Sequence, residues 1–115
     1  MEKVNFTVKG KTYTSEEVRV GKIIDLWKLR SALSMGSYGL LYRMSLQNAD
    51  DAIVMIDIEA FFTVFCPQFI DDIKPSSIRE LSLEDYIELR EVYVAQILPW
   101  MTKVEGLLKK KNDDA

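Results

Sequence analysis

Asp50-Asp51-Ala52-Ile53-Val54-Met55-Ile56-Asp57-Ile58-Glu59-Ala60-Phe61-Phe62-Thr63-Val64-Phe65-Cys66 is the longest apolar run in the chain, and its reading decides the fold. Asp50 or Asp51 can cap a helix start by accepting from the free N–H groups of the first turn. Pro67 closes the run, because a residue before proline avoids the α region. At 100° per residue Val54, Ile58, Phe61 and Phe65 share a stripe, Ile53, Met55, Phe62 and Val64 widen it, and Glu59 with Thr63 marks a narrow polar side. The run is rich in β-branched and aromatic residues, as a buried strand would be, but it is well beyond the usual strand length of roughly 3 to 10 residues. A core helix with neighbours on most of its circumference is the expectation.

The hundred and fifteen residues, 48% hydrophobic, suit one domain with a substantial core: a hairpin unit over 1–20, a helical part over 21–111 and a frayed tail over 112–115. A formal charge of −3 supplies no general attraction to phosphate backbones, which argues against nucleic acid as a partner. One cysteine, Cys66, excludes an internal disulfide and reads as a small core residue. Without histidine no zinc site is expected. The start lacks an apolar leader segment. The core helix carries Asp57 and Glu59 and is shorter than the roughly 20 residues of a membrane span. The expectation is a soluble, cytoplasmic protein with no membrane contact.

Ahead of the core helix, Val4 to Val8 alternates apolar and polar residues, and Lys9-Gly10 suits a two-residue hairpin turn that pairs Val8 with Lys11 and Phe6 with Tyr13. Val18 and Val20 either extend the second strand or form an edge. From Gly21 to Ser34 the period turns helical, with Ile23, Leu26, Trp27 and Leu33 on one face. Arg30 falls in that face, which a long stem on the core with its head in water would explain. Gly36-Ser37-Tyr38-Gly39 breaks the helix, and Leu40 to Leu46 fits either a short helix or an extended segment.

After Pro67, Gln68 to Ile73 suits one or two helical turns and Pro75-Ser76-Ser77 a turn. Ser82 caps the last long helix, helped by Glu84 and Asp85, with Leu83, Tyr86, Ile87, Tyr93, Val94 and Ile97 as its apolar face. Pro99 should kink or break that helix, after which Trp100, Met101, Val104, Leu107 and Leu108 resume a stripe. The fold class is mainly α with a small N-terminal β-hairpin (α+β), a bundle of three main helices near 22–34, 51–66 and 83–98.

No catalytic, cofactor-binding or metal motif is present, so no enzyme activity is expected. The carboxylate pairs Asp50-Asp51, Asp71-Asp72 and Glu84-Asp85 lie where caps and loops want them. Asp57 stands inside the core helix and needs a partner; Arg30 and Arg90 are the candidates, and an ion pair would account for two anomalies at once.

Four features carry a family resemblance: the Phe6-Thr7-Val8-Lys9-Gly10-Lys11-Thr12-Tyr13 opening, Ile23-Ile24-Asp25-Leu26-Trp27, the Ala52 to Cys66 helix ending in proline, and the Leu98-Pro99-Trp100 break. Their order resembles that of bacteriophage tail assembly chaperones. The resemblance implies a non-enzymatic protein that keeps the apolar-helical tape-measure protein soluble in the host cytoplasm, helps recruit tail-tube subunits, and is absent from the finished virion. No binding residue transfers from the family. The residues expected to form an apolar groove for a partner helix are Leu40, Leu41, Tyr42, Trp100, Met101, Val104 and Leu108. The same residues could instead finish the domain core or a homo-oligomer contact. The competing readings are a structural virion subunit, such as a neck or tail-completion protein, and a small cytoplasmic regulatory module.

Overall fold

The computed structural model describes residues 2–43, 47–73 and 76–114, with the side chains of 42–50 and 110–114 left aside. The core helix, α3, spans Gln47–Phe65. It therefore begins ahead of Asp50 and Asp51, because nothing in Gln47-Asn48-Ala49 breaks a helix. Its second half runs through the centre of the molecule, with Ile58, Ala60, Phe61, Phe62 and Phe65 wholly inaccessible. Ahead of it Ala52, Ile53, Val54 and Ile56 are half-buried, and Met55 is exposed. Pro67 stops α3 and becomes the first residue of α4 (Pro67–Asp72), where its missing N–H costs nothing.

The hairpin pairs β1 (Asn5–Val8) with β2 (Lys11–Thr14) in the expected register, Phe6 opposite Tyr13 and Val8 opposite Lys11. Lys9 (φ 50°) and Gly10 (φ 79°) both take the left-handed region that a tight hairpin turn requires. Phe6 stacks on Tyr13 at 5.6 Å and meets Phe61 and Phe62 edge-on, which seats the hairpin on α3. At its far end the Tyr13 hydroxyl donates to Asp72 (2.9 Å) and Lys11 pairs with the same carboxylate (2.6 Å), tying β2 to the end of α4. These two donors hold the Asp72 carboxyl below its ordinary value.

Val18 and Val20 form no strand. One further rung, Ser15 N–H to the Val4 carbonyl, continues the hairpin register, and the backbone then leaves it: Glu16 N–H goes to the Phe65 carbonyl at the end of α3. Val20 instead opens α1 (Val20–Leu33) and is exposed. On α1 the buried line is Ile23, Leu26 and Arg30, while Trp27 points outward. The helix ends in a Schellman motif, Gly36 N–H reaching the Ser31 carbonyl (2.7 Å) and Met35 N–H that of Ala32 (3.1 Å).

Met35 occupies the left-handed position of that motif, at φ 54° and 93% exposed. A side chain there costs roughly 1 kcal/mol. Met35→Gly should therefore stabilise the fold by about 1 kcal/mol in urea titrations, the reverse of the usual effect of introducing glycine.

A short helix, α2 (Tyr38–Arg43), follows. Beyond α4, whose turn expected at Pro75 lies outside the described residues, a 3-10 turn at Ile78–Glu80 leads to α5 (Leu83–Val92). Ser82 caps α5 as expected, accepting from Asp85 N–H. Its inner face is Tyr86, Leu89 and then Tyr93 and Ile97; Leu83, Ile87 and Val94 lie outside.

Pro99 does not break this helix. A π turn over Tyr93–Ile97 lets Leu98 N–H reach back five residues to the Tyr93 carbonyl, and α6 (Leu98–Asp114) continues directly. The widened turn accommodates a ring that would otherwise press on the preceding turn.

Candidate partner-binding site

A hollow of about 370 Å³ opens between α1, the start of α2 and α6, lined by Trp27, Arg30, Tyr38, Gly39, Glu105 and Leu108. Its floor is an ion-pair cluster that the helix periods assemble. Arg30 stands on the inner line of α1, Asp57 on α3 and Glu105 on α6. Arg30 Nε lies 3.0 Å from Asp57 Oδ1, and Nη1 donates to Glu105 Oε1 at 2.8 Å. The Nε contact is off the N–H line, so it is Coulombic rather than an aligned hydrogen bond. Tyr38 from α2 completes the cluster, its hydroxyl donating to Asp57 Oδ1 (2.8 Å) and its ring facing the Arg30 guanidinium at 5.3 Å.

The expected pairing of Asp57 with a core arginine is therefore present, with Arg30 as the partner. The idea that the Arg30 head reaches water is overturned: its side chain is 9% exposed. Burial lifts the Asp57 carboxyl above its ordinary value, although Arg30 and the Tyr38 hydroxyl pull the other way. Burial also works against the Arg30 charge, but Asp57, Tyr38 and Glu105 together raise its pKa. The Tyr38 phenol is pushed up by burial first and by Asp57 next.

Of the residues expected to form the groove, Leu108 lines this hollow and is 38% exposed. Leu40, next to Gly39, is exposed, and Leu41 is half-buried. The Tyr42 side chain lies outside the described set. Trp100, Met101 and Val104 belong to the core instead, each under 9% exposed. Pro99 turns no stripe outward, because the helix stays continuous through the π turn. The Trp100 ring packs edge-on against Phe61 and Phe65, and its indole N–H donates to the Glu2 carbonyl at 2.7 Å.

Trp27, expected on the inner face of α1, is instead 52% exposed at the mouth of the hollow. Arg30 carried the clue. Once its charge is paired inside, the buried sector of α1 shifts toward Ile23 and Arg30, leaving Trp27 at the border with Ile24 and Val20 outside it.

Among the described residues no group of acidic and cysteine side chains could hold a metal, and no helix is long and apolar enough to cross a membrane. Cys66 is buried, and burial pushes its thiol up, away from the reactive thiolate. Comparison with protein-family models, curated proteins and solved structures gave no match for this chain.

Proposed function

We propose that the protein is a non-enzymatic assembly chaperone of the phage-tail type, which keeps an apolar helical segment of a tape-measure-like protein soluble and helps recruit tail-tube subunits in the host cytoplasm. The observation that carries this reading is the half-exposed Trp27 ring beside Leu108 at the mouth of a hollow. Tryptophan anchors are enriched where a partner covers them, and covering about 100 Å² of this ring would contribute on the order of 2 kcal/mol. A partner helix laid against α1 and α6 would bury Trp27 and Leu108 together, with Leu40 nearby. The sequence resemblance supplies the identity of the client.

The test is co-expression with the tape-measure protein of the same gene cluster. Trp27→Ala/Leu108→Ala should lower co-purification at least tenfold and leave the isolated protein folded with a modestly lower melting temperature, because neither residue belongs to the fully buried core. Undiminished co-purification would overturn the reading. Recovery of the chain in purified particles would instead favour a structural virion subunit.

A further inference from the structure

The cluster under the hollow is unevenly charged: one positive group, Arg30, faces two negative ones, Asp57 and Glu105, leaving an excess of one negative charge. Its location matters more than its size. Arg30 and Asp57 are 9% and 15% exposed, whereas Glu105 is 48% exposed, so the excess faces the mouth. There Glu105 lines the same hollow as the half-exposed Trp27 ring and Leu108. A carboxylate beside an aromatic face and an aliphatic wall is the chemistry that holds a cationic head on an apolar stem. Among the described residues no lysine lines the hollow.

We propose that this hollow receives a lysine or arginine side chain from an amphipathic helix of the partner, so that the bound helix carries a basic residue within its apolar stripe. The inference rests on the helix-holding reading above and names the chemistry of its client. A wholly apolar occupant would cover the Glu105 carboxylate without giving it a new donor, which carries a desolvation cost. An acidic occupant would face Glu105 as a like charge. The positive charge of Arg30 is already offset, with Nη1 bonded to Glu105 and Nε held against Asp57.

Two designed amphipathic peptides with the same leucine stripe, one carrying lysine within it and the other glutamate, test this by fluorescence anisotropy at physiological salt. The lysine peptide should bind about fivefold more tightly, the scale of one exposed ion pair plus one cation–π contact. Glu105→Gln should abolish that preference. Glu91→Gln, which removes the same formal charge from an exposed site on α5, should retain it. Equal binding of the two peptides, or a preference that survives Glu105→Gln, would overturn the inference and leave helix holding intact. Binding of neither peptide would overturn both. Should Glu105→Gln fail to fold, Trp27→Leu takes its place: loss of most of the lysine preference supports the proposal, and full retention refutes it.

Discussion

Asp57→Ala should lower the stability of the fold by about 3 to 5 kcal/mol in urea denaturation, the usual cost of removing one member of a buried ion pair. The loss has two sources. Arg30 would lose its buried counter-charge and keep the half-exposed Glu105 and the Tyr38 ring, and the Tyr38 hydroxyl would lose the Asp57 carboxylate as acceptor. The double variant Arg30→Met/Asp57→Leu should recover to within about 1 kcal/mol of the parent, because exchanging a whole buried pair for apolar groups is often neutral. A double variant as unstable as Asp57→Ala would show that the cluster is favourable in itself.

The pH dependence separates this carboxylate from Asp72. The folded pKa of Asp57 is raised above its ordinary 3.8 by burial, so its contribution to stability is fully present below that value and is lost as pH rises through the folded value. Relative to Asp57→Asn, the parent should therefore gain stability on acidification from pH 7 toward about pH 4. Asp72 behaves oppositely. Its folded pKa is lowered by Lys11 and Tyr13, so its contribution is present above 3.8 and disappears as pH falls through the depressed value. Denaturant titrations of the parent, Asp57→Asn and Asp72→Asn across this range check both signs.

Phe61→Ala should also cost about 3 to 5 kcal/mol, which for a domain of ordinary stability, about 5 to 15 kcal/mol, removes much of the margin. Phe61 is wholly buried and its ring lies within 6.2 Å of those of Phe6, Phe62, Phe65, Tyr93 and Trp100. These partners come from β1, α3, the π turn and α6, so a cavity at this point weakens several joins together. Trp27→Ala, the removal of a larger ring, should cost clearly less, about 1 to 2 kcal/mol, since half of that side chain is already exposed. A similar loss for the two variants would contradict the division between core and binding surface.

Features set by neighbours in sequence could be read from the chain. The Phe6 and Tyr13 pairing follows from a two-residue turn, Ser82 caps the residue three positions on, and Pro67 ends α3 because a proline constrains the residue before it. The Asp57 and Arg30 pair was legible for another reason: two charges on apolar faces call for each other. What escaped was azimuth. A helical period tells which residues share a face but not which part of that face meets a neighbour, and so Trp27 and Trp100 were assigned to the wrong sides.

For Trp100 the deciding contact joins positions 98 residues apart, an indole N–H and the Glu2 carbonyl, and no local pattern contains it. The candidate site was only partly legible on the same grounds. Leu108 and Leu40 could be named because a stripe overruns the bundle and a glycine loop exposes its neighbour. The hollow itself exists only where α1, α2 and α6 converge.

The π turn has a bearing on how this chain can assemble. A two-stranded sheet has open edges, and an open edge invites a strand from another molecule. Within the turn, the Gln96 side chain accepts the Thr7 N–H at 2.9 Å, occupying a donor on the side of β1 that β2 does not cover. An incoming strand would have to displace that amide at the middle of the edge before it could form a ladder. Growth by sheet extension is thus obstructed at β1, where a side chain already holds the position that an incoming backbone would need.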